Sequence, residues 1–290
     1  MNPVREPSVA GRFYPSDPEE CRRELEAMRR RPEIRGRILG GVVPHAGWRF
    51  SGPTAALSLC SIAPQKPETV VVFGAVHGHD RNRASIFPTG IWRTPLGGLR
   101  VDDELARRIA NRSRDAEIDP VAHEREHSIE VELPLIQYYL GEDLRILPIM
   151  VRPGPWATEL GQVAAAEALE LGRRVVFVAS TDLTHYGPAF EFEPAGRGKP
   201  GLRWAKEVND RGFIRRVTEL DADGVVPEAV LNRNACGAGA VSATIAAVCA
   251  AGATAYRELE HISSADVEWR IHEHPLNSVG YEAGVFVIPE

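Results

Sequence analysis

The sequence predicts an α/β fold, a single domain over residues 1–290 built on a mixed, mainly parallel central sheet covered by helices. Three observations carry this expectation. Residues 38–43, 69–73 and 174–179 are continuous apolar runs rich in β-branched side chains, the pattern of strands buried on both faces of a parallel sheet. Each run gives way to glycine, proline or polar residues. Between the runs lie amphipathic or Ala- and Leu-rich stretches long enough for the crossover helices that parallel strands need.

The elements follow in order. Residues 16–30 form a first helix with Ser16 as N-cap, acids at Asp17, Glu19 and Glu20, and arginines towards its end, a charge order that suits the helix dipole. After the strand at 38–43, Gly52 to Ser61 supply the helix that crosses to the strand at 69–73 in a right-handed connection. Asp102 and Asp103 open a helix to residue 113, with Leu105 and Ile109 on one face. Ile129, Leu133, Ile136 and Leu140 recur at helical spacing, and Pro134 among them predicts a kink or a late start. Leu144 to Val151 read as a strand whose Pro148 places it near an edge or ends it early. Helices at 155–172, 203–219 and 238–251 and a closing strand at 284–288 complete the layers. The stretch 186–201, rich in Gly, Pro and charge, reads either as a lid or binding loop or as disordered chain.

Composition narrows the function. The chain has 290 residues, 43% hydrophobic and 26% charged, enough for one large core. No window approaches the roughly 18 apolar residues that span a bilayer, and residues 1–6 show no signal-peptide core, so a cytoplasmic protein away from membranes is expected. A net charge of −6 without a basic stripe argues against a nucleic-acid partner. The cysteines at 21, 60, 236 and 249 form no CxxC pair, which disfavours a disulfide framework or zinc knuckle. Cys21, Cys60 and Cys249 sit among helix formers, where free cysteine behaves as a small hydrophobe.

The residues with chemistry lie where the strands end. Ligands of open α/β sheets bind beyond the carboxyl ends of the strands. There the first run meets Pro44-His45-Ala46-Gly47, the second Gly74-Ala75-Val76-His77, and the third Ser180-Thr181-Asp182-Leu183-Thr184-His185-Tyr186-Gly187. His45, His77, Asp182 and His185 are therefore expected in one crevice, although each histidine alone reads equally as a hydrogen-bonded crevice residue. Cys236 precedes an apolar helix whose free N–H groups favour a thiolate, while its small neighbours taken alone read as tight helix docking. Joined to His45 and His77, it makes a three-ligand metal site with open positions. Imidazole and thiolate together suit iron, zinc or copper better than magnesium or calcium.

If residues 182–185 are helical, Asp182 and His185 share a face and the carboxylate orients a general acid or base; an Asp cap beside a surface histidine is the alternative. Glu126-His127-Ser128-Ile129-Glu130 can line the pocket, orient a ligand histidine or cap the helix that follows. Trp48, Trp92, His127 and Tyr186 are read as pocket-shaping, with simple packing as the alternative for the aromatic residues. His79 is a substitute for His77 at the same strand end. His261, His272 and His274 lie in a hydrophilic stretch and read as solvated.

Several segments, in this order, resemble the Memo family, whose bacterial members are called AmmeMemoRadiSam system protein B. They are Ala10-Gly11-Arg12-Phe13-Tyr14-Pro15, Pro44-His45-Ala46-Gly47-Trp48, Phe73-Gly74-Ala75-Val76-His77, Arg93-Thr94-Pro95-Leu96-Gly97, Glu126-His127-Ser128-Ile129-Glu130-Val131-Glu132-Leu133-Pro134, Ser180 to Gly187, and Ser278-Val279-Gly280-Tyr281. The resemblance covers nearly the whole chain. It implies a fold similar to class III extradiol dioxygenases, non-haem iron enzymes that cleave catechol-type rings. It maps their metal histidines onto His45 and His77, the third metal position onto Cys236, and their acid/base histidine onto His185 beside Asp182. Those dioxygenases carry glutamate as third ligand. A thiolate donates more charge and is itself oxidisable, so ring cleavage does not follow from the fold. The resemblance also implies a redox role or phosphopeptide-binding adaptor role, both described for a human member, and association with radical-SAM and AMMECR-type proteins.

The leading expectation is a mononuclear metal protein, Fe(II) before Zn or Cu, acting in a redox or oxygen-dependent reaction on a small organic or peptide substrate. A non-catalytic adaptor would use the same crevice for a peptide or phosphopeptide, with Arg49, Arg93 and Arg100 available for phosphate. A hydrolase would use zinc-activated water, or Cys236 with His185. No GxSxG or HExxH motif supports a standard hydrolase.

Overall fold

Strands Gly97–Val101, Arg145–Val151, Thr69–Gly74, Val175–Ser180 and Arg37–Val43 lie side by side in that order, all parallel, in a computed structural model that describes residues 3–30, 32–78, 82–268 and 275–290. Ser278–Ile288 continues the sheet antiparallel to Arg37–Val43 and also pairs with Ala255–Ser263 and His185–Tyr186. Beyond the other side, Ile91–Thr94 forms an antiparallel hairpin with Gly97–Val101. The continuous apolar runs are buried on both faces as their composition requires, Val70, Val71, Val72 and Phe73 all being 0% exposed.

Two adjacent glycines show how the helices cover the sheet. A Cβ at Gly40 would stand 2.9 Å from Val248 of helix Ala238–Ala250, whereas one at Gly41 would stand 3.3 Å from Ile62 of helix Trp48–Ile62. Successive strand residues face opposite sides, so these helices lie on opposite faces. Trp156–Glu170 packs beside Ala238–Ala250, and Leu133–Leu140 beside Trp48–Ile62. The carboxyl ends of the three histidine strands consequently open on one edge between the two layers.

Several expectations change in detail. The first helix, Pro18–Met28, is capped by Asp17, which accepts from the Glu20 N–H at 2.8 Å, rather than by Ser16. Pro18 at its start needs no N–H partner. The crossover helix begins at Trp48, four residues earlier than Gly52, with Pro53 accommodated inside it. Pro134 delays its helix rather than kinking it: Glu130–Glu132 is a 3₁₀ turn and the α-helix starts at Leu133. The helix expected at 203–219 starts at Lys199 and passes through a π turn, Ala205–Asn209, before ending at Thr218. Two further elements have no clear sequence pattern: helix Ala222–Asn232 holds Pro227 inside it, and the charged residues of strand Ala255–Ser263 mask any apolar alternation.

The strand with Pro148 is interior. The Pro148 carbonyl accepts from Phe87 N–H, so the nitrogen faces that same side, where pairing passes from Gly97–Val101 at Ile146 to Ala84–Ile86 at Ile149. The missing N–H falls in this gap and breaks no ladder bond. Residues 186–201 fold around the Tyr186 phenol, which accepts from Ala195 N–H at 3.1 Å and donates to the Gly196 carbonyl at 2.7 Å. Cys21 and Cys60 are buried, but Cys249 is exposed. Among the described residues no helix is long and apolar enough to cross a membrane.

Candidate metal centre

His45 and His77 emerge from the ends of their strands and meet. Their rings lie edge to face with centroids 5.2 Å apart, and His127 stacks on His77 at 4.6 Å. Nitrogens of all three rings lie within 4.8 Å of one another. The Cys236 sulfur is 3.3 Å from Nε2 of His45 and lies close enough to His77 to favour the charged form of that ring. His127, expected to line the pocket or to orient a ligand histidine, is itself among the clustered donors.

The hydrogen bonds fix which nitrogen each ring offers. Ser180 Oγ spends its one hydrogen on the Ser128 carbonyl at 2.6 Å, so it must accept from Nδ1 of His45, 2.8 Å away. Nδ1 of His77 lies 2.9 Å from a Glu126 carboxylate oxygen, which also only accepts. Both rings thus hold a proton on Nδ1 and leave Nε2 as the nitrogen that faces the other donors; on His77, whose charged form Cys236 and Glu126 favour, an ion would take the place of the Nε2 proton. This is how metal-ligating histidines are ordinarily held.

Electrostatics agree with that donor set. Burial, followed by the nearby His77 and His127 rings, holds His45 well below its ordinary pKa and keeps it neutral. Burial also depresses His77, but its bonds to Cys236 and Glu126 outweigh this and push it up to about 10. Burial works against ionising Glu126, yet its bonds to His77 and Ser128 hold it far below the usual carboxylate range. Burial and the neighbouring His77 also lower the pKa of His127, so two of the three rings are held neutral, the state in which imidazole ligates a transition metal. The residues present fit such an ion.

Cys236 reaches the cluster through backbone pairing. Leu183 bridges to Ala235, Cys236 N–H donates to the Asp182 carbonyl at 3.2 Å, and Asp182 N–H donates to the sulfur at 3.3 Å. Gly237 makes the approach possible, since a Cβ there would fall 2.4 Å from the Ser180 carbonyl oxygen.

Residues 182–185 are not helical, because Leu183 N–H and Thr184 C=O pair with Gly280 and His185 sits in a short strand. The Asp182 carboxylate accordingly does not clamp His185. It accepts from the backbone N–H of His45 at 2.8 Å and from that of Ala46, fixing the loop that carries His45. Burial raises its pKa to about 6 against the pull of His185 and these N–H groups. His185 is held instead by the Leu183 carbonyl, 2.9 Å from its Nδ1, which leaves Nε2 as the basic nitrogen. Glu132 is fully buried near Asp182, and burial together with that charge raises its pKa well above the carboxylate range.

The other expected positions lie apart from the donors. Trp48 is 2% exposed and donates to the Val131 carbonyl, Trp92 is 1% exposed under the Arg5 guanidinium, and Tyr186 is 0% exposed inside its own loop. His261 is not solvated: its buried ring contacts Asp210 at 2.9 Å. His79, His272 and His274 fall outside the described residues.

Comparison of the chain with known proteins gives its family. A MEMO1 family protein of Methanopyrus kandleri is 38% identical over 297 residues, covering 97% of this chain and 98% of the relative. Others from Thermococcus kodakarensis and Pyrobaculum aerophilum are 38% and 34% identical, covering 91% and 98% of this chain and 94% and 99% of themselves. A crystal structure of an uncharacterized Escherichia coli K12 protein aligns with a TM-score of 0.46 at 16% identity, over 78% of this chain and 90% of that one. The family model for Memo-like protein matches residues 5–285, and the chain belongs to that family.

Proposed function

We propose that the chain is a mononuclear transition-metal protein, with Fe(II) as the leading ion and Zn or Cu as alternatives, serving a redox or oxygen-dependent reaction on a small organic or peptide substrate. The observation that carries this reading is the pair of imidazoles, His45 and His77, each locked by an oxygen acceptor on Nδ1 so that Nε2 faces a shared place beside a cysteine sulfur. When bound, the ion would supply Lewis-acid or one-electron chemistry at its open positions. His45 and His77 hold it, with Cys236 or His127 as the next donor. Glu126 and Ser180 orient the rings, Asp182 fixes the His45 loop, and Nε2 of His185 takes or returns a proton. Metal analysis after anaerobic purification tests this: about one transition-metal ion per chain is expected, lost in His45→Ala and His77→Ala. No metal in the wild type would remove the basis of the proposal.

A second reading has its own support. The Cys236 sulfur lies 3.3 Å from an imidazole nitrogen and receives the Asp182 N–H, an arrangement that also activates a nucleophilic thiolate. Thiol labelling with and without metal separates the readings, because a coordinated sulfur is protected and a free nucleophile is not.

A further inference from the structure

The segment Ala10-Gly11-Arg12-Phe13-Tyr14-Pro15 supplies no donor, yet it is fastened to the turn that carries His127. Glu130, three residues beyond His127 and 1% exposed, gathers donors from the N-terminal segment on its carboxylate. These are Arg5 Nη1 at 2.6 Å, Ser8 N at 2.9 Å, Ser8 Oγ at 2.7 Å, Val9 N at 2.8 Å and Tyr14 Oη at 2.9 Å. Gly11, at φ +79°, lets the chain reverse so that Phe13 N–H reaches the Val9 carbonyl at 2.9 Å. The Phe13 carbonyl in turn accepts from Trp48 N–H at 2.8 Å, at the head of the helix that follows His45. Held from both sides, the Phe13 ring comes to rest 4.9 Å from the His127 ring, tilted by 53°.

We propose that Phe13 is a site residue, an apolar wall swung onto His127 by a strap that Glu130 latches. It closes that side of the cluster and limits the size of ligand that enters there. This rests on the metal reading above, but the wall itself can be tested without an ion. In metal-free protein treated with diethyl pyrocarbonate, with each histidine followed by peptide mass spectrometry, Phe13→Ala is expected to speed modification of His127 several-fold and leave His185 unchanged. Phe13→Leu keeps an apolar wall and stays near wild type. Glu130→Gln frees the strap and reproduces the rise at His127 with Phe13 still present. Phe13 is only half-buried, so its variants keep the core should Glu130→Gln not fold.

In Co(II)-loaded protein, visible absorption during titration with azide and with imidazole reads the size limit. Phe13→Ala should favour imidazole over azide by about tenfold relative to wild type, the scale of a single removed steric contact. Unchanged His127 modification in Phe13→Ala overturns the proposal. Failure of the wild type to take up Co(II) defeats the metal reading instead, and the modification rates still decide the wall.

Discussion

Glu126 grips His77 twice, taking its backbone N–H at 2.8 Å and its ring Nδ1–H at 2.9 Å. One carboxylate thereby sets the position of the residue and the tautomer of its ring, and raises the basicity of the nitrogen left to face an ion. Glu126→Gln keeps the size and one acceptor oxygen but loses the charge. Metal affinity is expected to fall about 10- to 100-fold, the usual cost of losing such a partner, in a competition titration against a chromophoric chelator. An unchanged affinity would count against His77 as a ligand.

Glu130 and Arg5 form a buried pair whose side chains are 1% and 4% exposed. Burial alone would raise the Glu130 pKa, but Arg5 and the Ser8 and Val9 N–H groups lower it below the ordinary carboxylate value. A carboxylate with a depressed folded pKa contributes stability that is present above its unfolded pKa, about 4.3, and lost as pH falls through the folded value. Arg5→Ala leaves that charge buried without its partner and should cost about 3–5 kcal/mol in urea denaturation at pH 7. The deficit should shrink in acid as Glu130 protonates. A deficit that stays constant with pH would show that the pair's charge is not what it contributes.

Glu282 has the opposite sign. It is fully buried, and burial raises its pKa to about 8 even though the Tyr256 hydroxyl, 2.9 Å away, favours ionisation; Arg211 also lowers it, while Glu258 and Asp210 raise it. A folded pKa above the unfolded one means that the native state holds the proton more tightly, so stability falls as pH rises from the unfolded value of about 4.3 through the folded one. Glu282→Gln carries no proton to lose. Its stability should exceed that of wild type more at pH 8 than at pH 5, read from denaturation midpoints, and a parallel pH profile in the two proteins would refute the assignment.

The parts of this structure that depend on local pattern were legible, and those that depend on distant partners were not. Val70 to Phe73 announce a strand buried on both faces by composition alone, and the strand-end rule then places His45, His77 and His185 on one edge. Pro148 misleads because its tolerance depends on where neighbouring strands begin and end. His261 looks solvated in a polar stretch because its partner Asp210 is 51 residues away. His127 enters the cluster through a turn anchored by Glu126, with Glu130 tying the N-terminal segment beside it, neither of which a helical pattern reveals. The Asp182-to-His185 geometry fails for a similar reason: Gly280, nearly a hundred residues on, pairs with Leu183 and Thr184 and draws the segment into extended chain.

Which atom completes the donor set after His45 and His77 is decided by moving a candidate without deleting it. A Cβ at Gly237 would fall 2.4 Å from the Ser180 carbonyl oxygen and 2.7 Å from Thr181 Cβ, and a backbone oxygen cannot rotate out of the way. Gly237→Ala forces the start of helix Ala238–Ala250, with Cys236, away from Ser180 and Thr181, while every histidine keeps its ring; because Ser180 also orients His45, Cys236→Ser serves as the control that leaves that contact alone. Overpacking of this kind costs about 1–3 kcal/mol of stability, to be read in urea. If sulfur is a ligand, metal affinity falls as well, and Cys236→Ser, which leaves the backbone alone, falls with it. If His127 is the third donor, Gly237→Ala loses stability while both variants bind metal as the wild type does, and His127→Ala becomes the variant that releases the ion.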